Sequence, residues 1–132
     1  MADMGQQTLR TRMQEIGINN TIFVGITTTA QDSALMLQYI VEGKGLNPTN
    51  TAFLKDAMRV QDPKYRKGLA TGAPNATWET KVGWNEQENY HDVGIMTLPN
   101  RRQYVVAILS LNNGKAAPIA DFASTIYGVL QK

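Results

Sequence analysis

The residues able to do chemistry cluster in the middle of this 132-residue chain. In Trp78-Glu-Thr-Lys-Val-Gly-Trp84, Lys81 and Gly83 bring a charged head and a flexible backbone together on a segment that alternates Trp, Thr and Val, as a strand does. A few residues on lie Glu86, Glu88, His91 and Asp92. His91 is the single histidine, and beside Asp92 it reads as a surface turn residue rather than a base. With no cysteine, disulfides and thiol catalysis are excluded, and a metal site would have to be built from carboxylates. Glu86, Glu88 and Asp92 are the one such group. Their loop lacks the glycine and the alternating oxygen ligands of a calcium site, so neither a metal nor any other cofactor is expected. Arg101-Arg102 and the Arg10/Arg12 pair are solvated turn and helix charges, and a net charge of +2 does not make a nucleic-acid surface.

The elements that must position these residues follow from periodicity. Trp78–Trp84, Asp92–Leu98 and Gln103–Leu111 are rich in β-branched and aromatic residues and are bounded by Asn, Gly or Pro. The short loop Pro99-Asn-Arg-Arg102 joins the last two as an antiparallel hairpin, so the three strands form a meander. Helices precede it. Gln6–Ile16 carries Leu9, Met13 and Ile16 at helical spacing with Gly17 as its stop, and Ile22-Phe-Val24 reads as a brief extended piece. Thr29-x-x-Asp32 resembles a capping box for a greasy helix over Ala30–Glu42, and Asn47-Pro48 opens another with the stripe Phe53, Leu54, Ala57, Met58. After Asn112-Asn-Gly114, Pro118 opens a closing helix with Ile119, Phe122, Ala123, Ile126, Val129 and Leu130 on one stripe, suited to lie on the sheet. The expected architecture is α+β in a single domain over residues 1–132. No apolar run approaches ~18 residues and the start lacks a signal-peptide pattern, so no membrane partner is expected.

In order and spacing, several segments together resemble the C-terminal half of class A β-lactamases. They are Thr27–Leu37, Phe53–Met58, Glu79-Thr-Lys81-Val-Gly83, His91–Ile108 and the closing helix. The resemblance implies a serine hydrolase framework that handles β-lactams or cell-wall peptides, and a periplasmic or secreted setting for the family. It also implies that the Lys81 strand lines one wall of a cleft. Lys81 and Gly83 match the family's Lys-Thr-Gly motif, in which the lysine attracts the substrate carboxylate. Val82 departs from it, replacing a hydroxyl whose charge-assisted contact is worth about 1.5–3 kcal/mol. Trp84, bulkier than the small residues common there, stands where a backbone N–H supplies half of an oxyanion hole. The implied substrate-binding set is therefore Lys81, Val82, Gly83 and Trp84.

No catalytic residue is expected in these 132 residues. The family's nucleophile is a Ser-x-x-Lys, whereas Ser33, Ser110 and Ser124 are followed three places on by Met36, Asn113 and Tyr127. No Ser-Asp-Asn occurs, and no glutamate lies between Asn20 and Thr27, where the deacylation loop should fall. Two readings follow. One is a β-lactamase-like domain lacking its nucleophile half, inactive alone and completed by a partner N-terminal half or by a homo-oligomer. The other is a non-catalytic binding or assembly domain on the same framework. Without the family, Lys81 is a solvated strand charge; Trp78 and Trp84 read as core and cleft-edge packing rather than a stacking platform.

Overall fold

Alternation along three strands builds the centre of the protein. The structure, a computed structural model, describes residues 5–23, 27–85 and 89–132. Strands β1 (Thr77–Asn85), β2 (Asn89–Thr97) and β3 (Gln103–Ile108) pair antiparallel in the order β1-β2-β3. The register sets Lys81 opposite Val93, Val82 opposite Asp92 and Gly83 opposite His91, while Asp92 faces Ile108 across the other ladder. Between β2 and β3, Arg101 donates its N–H to Leu98 O and takes φ 67, and Leu98 donates to Arg102 O. This is a tight turn closed by one left-handed residue, as the short loop predicts.

Because side chains alternate, each face of the sheet feeds its own core. Trp78, Val82, Tyr90, Met96 and Val106 pack with Leu69, Ala73, Ile119 and Ala123 of the C-terminal helical layer. Ile95, with Val93 and Val105 beside it, packs against Leu37 and Met58 on the opposite face. Helix α2 (Ala30–Val41) and helix α3 (Pro48–Arg59) cover the second face; the one-turn α4 (Leu69–Gly72) and α5 (Ala117–Leu130) cover the first. Each fully buried Leu, Ile or Met contributes about 1.5–3 kcal/mol to holding these layers together.

Local signals account for the helix ends. Helix α1 (Gln6–Glu15) stops where Gly17 donates to Gln14 O and Ile18 to Met13 O, a Schellman closure with Ile18 buried beneath it. Asn47 caps α3 by accepting the Asn50 N–H at 2.8 Å, with Pro48 at the first turn. Thr29 caps α2 by accepting the Asp32 N–H at 3.1 Å. The reciprocal half of the box is not made, because the Asp32 carboxylate turns to Asn20 and Thr21 instead.

Several expected positions differ. Strand β2 starts at Asn89, which takes His91 out of a turn and into the sheet, and β3 ends at Ile108 where the continuation Leu109–Leu111 was expected. Phe122 and Val129 are more than half exposed, as is Phe53 on α3, so those stripes are narrower than the periodicity suggests. Ile22 forms an isolated antiparallel bridge with Thr27, while Val24 lies outside the described residues. No helix among the described residues is long and apolar enough to cross a membrane.

Candidate functional site

The outer edge of β1 carries the candidate site. In an antiparallel strand the backbone groups of alternate residues point to the same side. The carbonyls of Trp78, Thr80 and Val82 point away from β2, and each is met by a side-chain donor. Arg66 Nη2 reaches Trp78 O at 3.2 Å, Gln61 Nε2 reaches Thr80 O, and Lys81 Nζ reaches Val82 O. Continuing the alternation, the N–H and carbonyl of Trp84 face the same open edge. The Trp84 side chain is 49% exposed beside it.

Lys81 and Val82 diverge across the sheet. Lys81 lines a groove of about 590 Å3 whose walls are chiefly apolar, among them Met13, Phe23, Met36, Leu54 and Val93. Val82 is buried at 5% in the opposite core, so its side chain does not share a surface with the lysine. Gly83 leaves the strand thin where His91 stands across from it, with the histidine Cβ and Cδ2 at 3.9 Å from where a Cβ on Gly83 would be. Of the four residues the sequence singles out, Lys81, Gly83 and Trp84 line the exposed end of β1, and Val82 joins them through its backbone.

Sequence reasoning missed the supports. His91 Nδ1 accepts the Ser110 N–H at 3.0 Å, and Ser110 Oγ donates to Tyr90 O at 2.5 Å, which pins the histidine as an acceptor at the end of β3. Gln61 and Arg66 come from the connection after α3, and only the strand register shows that they cap β1. Asp32 is buried at the groove, accepting the Asn20 N–H and the Thr21 hydroxyl at 2.8 Å each. Burial pushes its carboxyl up, but those hydrogen bonds outweigh it and hold the group below the usual carboxylate value.

Asp92 is buried in β2. Glu86 and Glu88 lie outside the described residues, and no group of three or more His, Cys, Asp or Glu among the described residues is placed to hold a metal. Asp92 is instead sealed beneath the turn into α4, where Oδ2 accepts the Leu69 N–H at 2.9 Å and Oδ1 has no partner among the described residues. A Cβ on Gly68 would lie 2.5 Å from Asp92 Oδ2, so only glycine admits the carboxyl there. Burial raises the Asp92 pKa to about 6 against the pull of the Leu69 N–H and of the Arg66 and Lys81 charges. Burial and the nearby Asp92 charge likewise raise the Tyr90 hydroxyl.

Comparison with known proteins bears on this edge and its setting. Over 113 residues the chain is 32% identical to a beta-lactamase of Mycobacterium tuberculosis and to one of Mycobacterium bovis, a match covering 79% of this chain and 36% of each relative. The structure of PBP-A superposes with a TM-score of 0.79 at 26% identity, covering 96% of this chain and 52% of that one. The TLA-1 extended-spectrum beta-lactamase gives a TM-score of 0.84 at 17% identity over 97% of this chain and 55% of that one, a likeness of fold. The chain therefore spans about a third of the length of the curated relatives and about half that of the solved neighbours. The model of the beta-lactamase enzyme family matches residues 1–130, and this chain belongs to that family.

Proposed function

We propose that Lys81, Val82, Gly83 and Trp84 form a ligand-binding wall for a carboxylate-bearing molecule of the β-lactam or cell-wall-peptide type. On this reading the chain binds such a molecule without turning it over. The observation that carries the proposal is the outer edge of β1 from Lys81 to Trp84. There the Lys81 ammonium rests on the neighbouring Val82 carbonyl, the Trp84 N–H faces outward, and an apolar groove begins beside them. An incoming carboxylate can take the ammonium from a neutral acceptor, exchanging a weaker hydrogen bond for a charge-assisted one. Val82 takes part through its carbonyl, and the thin backbone at Gly83 lets a ligand approach the strand closely.

The chemistry stops at binding. Acyl transfer needs a hydroxyl activated by a neighbouring base, and none of Ser33, Ser110 and Ser124 is followed at the third position by lysine. Ser110, the one serine whose hydroxyl is held within the sheet region, donates to carbonyls and has His91 bonded to its backbone N–H rather than to its Oγ. This favours a non-catalytic binding role for these 132 residues, with any completed active site requiring a nucleophile from elsewhere.

Calorimetric titration of the chain with benzylpenicillin tests the wall directly. Lys81→Ala should weaken binding by about 10-fold or more, the loss of one charge-assisted contact. Indistinguishable isotherms for the parent and Lys81→Ala would refute the assignment.

A further inference from the structure

Asp92 is buried directly behind the ligand wall, and binding as described above makes no use of its charge. The register sets it opposite Val82, so one strand separates it from the edge where Lys81 Nζ rests on Val82 O. Oδ2 accepts the Leu69 N–H, while Oδ1 is buried with no hydrogen-bond partner among the described residues. Gly68 and Ile119 of α5 close over the carboxyl, α4 contains no charged residue, and Ile108 of β3 stands opposite. The charges that face it are Arg66, from the segment before α4, and Lys81 of the wall itself. Tyr90, two residues earlier on the same face of β2, feels the Asp92 charge in turn. An ionised Asp92 is thus a negative charge in apolar surroundings that shares its lysine with any ligand of the wall.

We propose that binding at the Lys81 wall is proton-linked: ionised Asp92 repels an incoming carboxylate from behind the strand, and the ligand is held more tightly once Asp92 takes up a proton. This deepens the ligand-binding reading of the wall and rests on it. A charge enclosed by protein is poorly screened, so its effect reaches across a strand. A bound carboxylate in turn offsets the Lys81 charge that favours ionised Asp92, so ligand and proton each strengthen the hold on the other. The surroundings suit the neutral form. Protonation makes the carboxyl a donor, and Thr80, diagonal to Asp92 on the same face, has its hydroxyl buried without a partner among the described residues. Burial already holds the carboxyl at about 6, which places the change between neutral and mildly acid solution. Over that range the Lys81 ammonium and the carboxylate of a penicillin both stay charged. His91, the other group to consider, stands on the opposite face of β2 with Nδ1 accepting the Ser110 N–H. For charges about 10 Å apart at an effective dielectric constant of about 20–40, the affinity should change about 3–10-fold.

Calorimetric titration with benzylpenicillin across this range, repeated in two buffers of different ionisation enthalpy, tests the linkage. Affinity should rise about 3–10-fold from about pH 8 to about pH 5, with proton uptake on binding read as a buffer-dependent enthalpy. Folded Asp92→Asn should bind with the tighter, acid-side affinity at every pH, and His91→Gln should keep the pH dependence of the parent. The Asp92 carboxyl-carbon NMR signal gives a readout that needs no variant to fold: its titration midpoint should move up when benzylpenicillin saturates the chain. An affinity independent of pH would overturn the proposal. So would a pH dependence that survives in folded Asp92→Asn or vanishes in folded His91→Gln, or an Asp92 midpoint unmoved by saturating ligand. Each of these leaves the wall standing, whereas a parent that binds no benzylpenicillin at any pH would refute the wall and the linkage together.

Discussion

At the scale of single residues, Asp92 and Val82 carry consequences that their neighbours decide. Folding raises the Asp92 carboxyl from 3.8 to about 6, so the folded chain holds that proton more tightly than the unfolded one. The stability this gives is fully present below the unfolded value and is lost as pH rises through the folded one, a difference of roughly 3 kcal/mol for two pKa units. Asp32 works in the opposite sense, but its lowered carboxyl titrates below the usual carboxylate value. Thermal unfolding should therefore show a midpoint that climbs as pH falls from about 7 toward 5, and Asp92→Asn should flatten the slope. A midpoint independent of pH over that range would contradict the burial argument. By the family motif alone, Val82→Thr would restore a hydroxyl donor to the cleft. Because Val82 lies in the core, we predict instead that it costs about 1–3 kcal/mol in denaturant unfolding and leaves the affinity for benzylpenicillin unchanged. Lys81 and Gly83 were legible as a motif, whereas the direction of Val82 was not. Three consecutive letters carry no statement of which face is covered by α4 and α5.

At the scale of elements, local rules settled whatever depends on near neighbours in sequence. The hairpin turn, the Asn47-Pro48 start, the Gly17 stop and the order of helices and strands were all readable from turn and cap chemistry. Contacts between distant segments were not. Gln61 and Arg66 look like surface residues after a helix, and their role on the β1 edge exists only once β1 is placed beside them. Phe53, Phe122 and Val129 fit a helical stripe, yet the covered sector is narrower than the stripe. The joint between α4 and α5 depends on Gly72, where an added Cβ would lie 1.9 Å from Ala120 O. Gly72→Ala should push the two helices apart and destabilise the chain by at least about 2 kcal/mol, read as a lower denaturant midpoint. The same change at Gly128 on α5, whose Cβ position has no atom within 4 Å, should be neutral or slightly stabilising.

At the scale of the whole molecule, a three-stranded sheet lies between two helical layers with the motif on one edge, and Asp92, Asp32 and His91 tie elements together. The buried Asp92 secures the entry to α4, Asp32 ties the loop after α1 to α2, and His91 fastens the end of β3; none of them stands beside an activated serine. The family relationship and the antiparallel meander were both visible in the sequence because the matching segments keep their order. The groove beside Lys81 was not, since its walls come from α1, α2, α3 and the sheet together. Binding without covalent chemistry is the central claim. Intact-mass spectrometry of the chain after prolonged incubation with excess benzylpenicillin tests it most directly. The account predicts the unmodified mass at every time point; a mass increase of one ligand that maps to Ser33, Ser110 or Ser124 would contradict it.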